Sequence, residues 1–162
     1  MKYTIVVQGR PVPQPRHKTF ADEKTGKQRH VFNTKRVTTW KNLIALKCAA
    51  GMMPRDHGGP VTISIEFRFL RPKSHYGPDG SLRPNCRDDR VSLGQTGAQA
   101  CGDGDNIEKA VWDALQKKGV IKNDVQVWDN RRKSLWTIIP EMEGATIHLW
   151  TDEPHPNTTK KT

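Results

Sequence analysis

Three aspartates in the stretch CGDGDNIEKAVWDALQKKGVIKNDVQVWD, residues 101–129, are of a type and spacing that could do chemistry. Asp105 lies just ahead of a helical pattern, where an acidic side chain ordinarily caps free backbone N–H groups and suits the positive end of the helix dipole. Capping needs only one carboxylate, and Asp103 stands two positions earlier, between Gly102 and Gly104. Those glycines let the backbone bend sharply enough to aim both side chains at one point. Two carboxylates so aimed repel at neutral pH unless a cation sits between them, and Mg²⁺ commonly takes one or two protein carboxylates together with phosphate and water. Asp124 follows just before a strand, where a turn aspartate is also ordinary. Lys109 is four residues from Asp105 and four from Asp113, so all three share one helix face. On spacing alone a surface ladder of ion pairs is the favoured reading, and the sharper one is a cation that meets phosphate charge developing in a transition state.

The elements that must position these residues are legible from periodicity. A helix is expected from about Asn106 to Lys118, with Ile107, Val111, Ala114 and Leu115 inward and Gly119 as its stop. VQVWD and KSLWTII beyond it read as two strands or one long bent one, and GATIHLW as a last strand. Upstream, YTIVVQG reads as a strand ending at Gly9. Val37, Trp40, Ile44 and Cys48 mark a helix over about 34–50 with Trp40 in the core, and VTISIEFRFL alternates strictly as a half-buried strand. Residues 71–102 show no periodicity and read as one long loop. The tail from 152 to 162 has nothing to bury and is expected to be disordered, leaving a single domain over 1–151.

Charge is segregated. The chain carries 27 Lys+Arg against 17 Asp+Glu, a formal +10, which favours a polyanionic partner. Residues 1–81 hold 15 basic and 5 acidic side chains and residues 82–162 hold 12 of each, so the whole surplus lies in the first half. Much of it crowds the segment RPVPQPRHKTFADEKTGKQRH, a long basic loop or hairpin in which Arg10, Arg16, Lys18, Lys24, Lys27 and Arg29 are candidate phosphate contacts, with Lys73 further along. A solvated surface run is the plainer reading of the same residues. Three cysteines without metal-ligand spacing read as reduced thiols. No apolar run reaches the roughly 18 residues of a membrane helix, and MKYTIVVQGR is too polar for a signal peptide, so a cytoplasmic protein is expected.

The segment DGDNIEKAVWDALQKKGVIKNDVQV resembles the signature of the RusA family of Holliday junction resolvases: Asp-x-Asp-Asn-apolar-x-Lys opening a helix, Asp-Ala-Leu further along, and an acidic turn before Gln-Val. GRPVPQPRHK and FLRPKSHYG are similar to segments of phage-type members. The resemblance implies a small α+β fold, a mixed sheet of about four strands with two main helices packed on it. It makes Asp103, Asp105 and Asp124 metal ligands and Lys109 the catalytic lysine, with structural roles for Asn106 and Asp113. The chain departs from the family pattern at Cys101-Gly102, where a basic residue commonly stands, at Gly104, commonly apolar, and at Asn123, commonly a second aspartate.

The resemblance further implies a Mg²⁺-dependent endodeoxyribonuclease, with Mn²⁺ as a substitute, that resolves four-way junctions by paired symmetric nicks in recombination and repair. A homodimer would present one active site to each of the two equivalent strands. Two alternatives stand beside it: the same chemistry on other branched DNA, and a basic DNA-binding protein without catalysis.

Overall fold

The computed structural model describes residues 1–14, 19–21, 28–30, 35–50, 59–91 and 104–151. Strand β1 (Lys2–Gln8) is followed by the short strands β2 (Thr19–Ala21) and β3 (Gln28–His30), then helix α1 (Lys35–Ala50) and strand β4 (Val61–Leu70). Helix α2 (Gly104–Lys117), strand β5 (Val127–Thr137) and strand β6 (Gly144–Thr151) complete the chain. The order β1-β6-β4-β5 makes a four-stranded mixed sheet, antiparallel except for the β4–β5 pair, and β2 and β3 form a separate antiparallel ribbon. This is the α+β fold expected, and the ribbon resolves the basic segment as a hairpin.

Strict alternation puts every second residue of β4 on one face. Val61, Ile63, Ile65, Phe67 and Phe69 are buried there with Ile5 and Val7 of β1 and Ala145, Ile147 and Leu149 of β6. Helices α1 and α2 join that face with Trp40, Ile44 and Cys48 from one and Ile107, Val111, Ala114 and Leu115 from the other, giving one continuous hydrophobic cluster. The opposite face is polar, carrying a Thr4–His148 hydrogen bond and the Glu66–Arg68–Thr146 group.

Of the two readings of VQVWD and KSLWTII, the single long strand is the one that forms: β5 has 11 residues, although Asn130 to Lys133 at its middle are all polar. Its backbone pairs in parallel with β4 along its length, so that β4 is bonded on both sides and leaves no buried unpaired edge. The segment after β4 is not featureless. Its described part, 71–91, contains 3₁₀ turns at Lys73–His75 and Pro84–Cys86 and a bridge from Arg90 to Leu135. The organiser is Arg71, whose nearly buried side chain (1% exposed) donates to the carbonyls of Cys86 and Asp88 and to the Asp89 carboxylate. Hydrogen bonds of this kind, from one side chain to groups 15, 17 and 18 positions on, leave no periodicity to read. The tail from 152 onward lies outside the described residues.

Candidate active site

Helix α2 begins at Gly104, two residues earlier than periodicity indicates, so Asp105 belongs to its first turn instead of standing ahead of it. The early start leaves Asp105 on the same helix face as Glu108, Lys109, Trp112 and Asp113, which lie three, four, seven and eight positions on. At its other end α2 stops in a Schellman arrangement. Gly119 takes φ 70°, the Val120 N–H donates to the Leu115 carbonyl and the Gly119 N–H to the Gln116 carbonyl. That reversal starts the chain back towards β5 and delivers Asp124. The turn carrying Asp124 is tied down on both sides, because Gln116 Nε2 donates to the Lys122 carbonyl at 3.0 Å and Gln126 Nε2 to the Gly59 carbonyl at 3.2 Å.

The result is a cleft of about 310 Å³ lined by Asp105, Glu108, Lys109, Trp112, Asp113 and Asp124. Asp105, Lys109 and Asp124, three of the four residues expected to act together, are thus in one cavity. Asp103 lies outside the described residues. Among the described residues no three His, Cys, Asp or Glu side chains form a ready metal cage. The donors that Asp105 and Asp124 offer are carboxylate oxygens only, a set suited to a hard cation that completes its shell with water and phosphate.

The ion-pair ladder through Lys109 does not form. Asp113 is taken by Lys41 of α1, at 2.7 Å, and Asp105 faces Arg132 of β5, at 3.5 Å. Among the described residues Lys109 bridges neither carboxylate, and its side chain is exposed at the cleft. Lys41 is 13% exposed and ties the two helices together.

Sequence reasoning missed a polar cluster beneath the start of α2. Asn130 and Arg132 stand level with Ile63 and Ile65 of β4, on the helix-covered face of the sheet. There they meet Glu108, which is 7% exposed. Asn130 Nδ2 donates to Glu108 Oε1 at 3.1 Å, and Arg132 Nη1 lies 3.2 Å from Glu108 Oε2. The available signal was a charged residue at an inward helical position, three after Asp105, which needs a buried partner.

The basic residues fall into two further clefts. Arg10 and Lys73 line one of about 340 Å³ together with Arg71, Ser74 and Trp136. Arg10 also lines one of about 390 Å³ with Lys35, Arg36, Thr39 and Trp40. The arm after β1 leads from these clefts to the acidic one, since the Gln14 N–H donates to the carbonyl of Asn106 in the first turn of α2. Arg16, Lys18, Lys24 and Lys27 lie outside the described residues, as does the side chain of Arg29 in β3.

Residues 8–145 match the family described as Endodeoxyribonuclease RusA. No curated protein matches the chain. No helix among the described residues is long and apolar enough to cross a membrane.

Proposed function

The chain belongs to the RusA family of endodeoxyribonucleases, and from that premise we propose that it resolves four-way DNA junctions by Mg²⁺-dependent hydrolysis, as a homodimer making paired symmetric nicks. The observation that carries this reading is the single cleft shared by Asp105, Lys109 and Asp124. Asp105 and Asp124, with Asp103, would hold the cation through oxygen. A divalent cation held there would polarise the scissile phosphate and lower the pKa of a water on it; Mn²⁺ would suit the same oxygens. Lys109 holds its ammonium at the cleft, where it offsets the negative charge that gathers on the phosphate as water attacks. The P–O3′ bond breaks as the new P–O bond forms, leaving a 5′-phosphate and a 3′-hydroxyl that a ligase can seal.

Arg10 and Lys73, with Arg16, Lys18, Lys24, Lys27 and Arg29, contact backbone phosphates and guide a strand towards α2. A junction has two equivalent strands, and a two-fold dimer presents one active site to each. We assign the activity to DNA recombination and repair in the cytoplasm. Membership of an endodeoxyribonuclease family sets aside a purely DNA-binding role.

The test is cleavage of end-labelled DNA by the purified protein with Mg²⁺ or with EDTA, on a four-way junction, a fork, a flap and a linear duplex. Paired nicks at symmetric positions on the junction, seen only with the metal, are the expected result. Cleavage confined to forks or flaps would overturn the junction reading, and equal cleavage in EDTA would overturn the metal reading. Sedimentation of the free protein at half the expected mass would remove the dimer.

A further inference from the structure

We propose that Arg132 is a positioning residue for Asp105, and that position 104 is glycine because the Arg132 guanidinium occupies the space a side chain would fill. The proposal rests on the reading above that Asp105 holds the metal. Arg132 Nη1 reaches two carboxylates of α2 at once, Glu108 at 3.2 Å and Asp105 at 3.5 Å. Glu108 is the anchor: it is 7% exposed, and its two oxygens are taken by Asn130 and Arg132, so it is held in place and has no oxygen free of a protein partner. Asp105 is the exposed member, at 87%, and Arg132 is its one charged partner among the described residues. A guanidinium fixed on a buried carboxylate and extended over the helix start therefore restricts the rotamers of Asp105 before any cation arrives. Groups that orient a metal ligand in this way typically change metal affinity by about 10–100-fold when removed.

Gly104 supplies the independent observation. A Cβ built there would collide with both terminal nitrogens and the central carbon of the Arg132 guanidinium, which lies flat against the helix start. The backbone at Gly104 is not in the left-handed region, so no turn requires glycine at this position. As the first residue of a helix, alanine would be the better helix former. The glycine is accounted for by the space it leaves.

Alanine at 104 changes no charge, so it isolates positioning from electrostatics. We would titrate Mn²⁺, without DNA, into the full chain and into Asp105→Asn, Gly104→Ala, Arg132→Lys, Arg132→Ala and the double variant Gly104→Ala/Arg132→Ala, following binding by calorimetry and folding by thermal melts. Gly104→Ala is expected to bind Mn²⁺ about 10-fold more weakly than the parent. Arg132→Lys is expected to weaken it too, because a compact ammonium does not span two carboxylates as a planar fork does. In the Arg132→Ala background, adding Gly104→Ala should leave the affinity unchanged and raise the melting temperature. Parent-like binding by Gly104→Ala, or an equal loss with and without Arg132, would overturn the proposal while Asp105→Asn still reports the metal site. Parent-like binding by Asp105→Asn would overturn the metal reading itself, and this inference with it. Should Arg132→Ala fail to fold, Gly104→Ala and Arg132→Lys still decide the matter.

Discussion

Lys109 and Asp113 stand four residues apart on α2, yet only one of them is held by an ion pair among the described residues. Asp113 binds Lys41, a residue 72 positions away, in a contact that closes α1 onto α2. Residue spacing alone identifies the pair as neighbours and cannot see that a lysine of another helix arrives first. The consequence is measurable. Asp113→Ala leaves a largely buried ammonium on α1 without its partner, and should cost about 1–3 kcal/mol in urea unfolding. Lys109→Ala should leave the unfolding midpoint nearly unchanged and lower the single-turnover cleavage rate on the order of 100-fold, about 2.7 kcal/mol of lost transition-state stabilisation. Lys109→Arg should restore little, since the planar fork does not replace a compact charge. A Lys109→Ala protein that cuts at the parent rate would leave the carboxylates to do the chemistry without it. At this scale Asp105, Lys109 and Asp124, the candidate residues that the cleft brings together, were readable from the motif. Glu108 and Arg132 were not, because their pairing depends on the register of β5 against β4.

Elements with a regular apolar pattern were legible almost to their ends. The alternation of β4 became a strand of ten residues with every odd position buried, and α1 carries its apolar stripe inward, Trp40 included. What escaped was order made by single polar side chains. Arg71 and the turns it holds are the main case, and His75 within them adds a pH dependence. Its ring stands edge-on to Trp136, with centroids 5.0 Å apart, and its Nδ1 is buried without a hydrogen-bond partner. Burial, with a smaller contribution from the Arg71 charge, lowers the His75 pKa below the ordinary 6.5. The folded protein therefore resists a proton that the unfolded chain accepts, so the unfolded state binds more protons as pH falls through 6.5 and stability falls with it. The slope from one such group is at most about 1.4 kcal/mol per pH unit. His75→Phe keeps an aromatic edge against Trp136 and removes the titration. Its unfolding free energy should fall less steeply than the parent's between about pH 7 and pH 5. Parallel slopes for the two proteins would show that this histidine titrates alike folded and unfolded.

Over the whole molecule the charge asymmetry becomes a layout. Basic clefts meet at Arg10, and the arm that follows carries the chain to the first turn of α2, beside the acidic cleft. Neutralising Arg10, Lys35 and Lys73 together should weaken binding to any DNA sequence alike and reduce the log–log salt slope by about 0.9 for each phosphate no longer neutralised. An unchanged slope would move the DNA site away from these clefts. On the proposed function the same carboxylates would be an obstacle to their own substrate. Without a divalent cation, Asp105 and Asp124 would put two negative charges where the phosphate is proposed to come, and at about 0.1 M salt that repulsion acts over roughly 10 Å. Asp105→Asn and Asp124→Asn each remove one charge and keep nearly the same shape. In EDTA both variants should therefore bind a four-way junction more tightly than the parent, by several-fold, although neither cuts when Mg²⁺ is restored. On the same reading, added Mg²⁺ should neutralise the parent's cleft and tighten its binding more than theirs, closing the gap. A nicking-blocked junction analogue lets the parent be measured with the metal present. The two halves of this expectation are separable: tighter binding without loss of cleavage would make the residue a bystander in the field, and loss of cleavage with no change in binding would put its charge out of reach of the DNA.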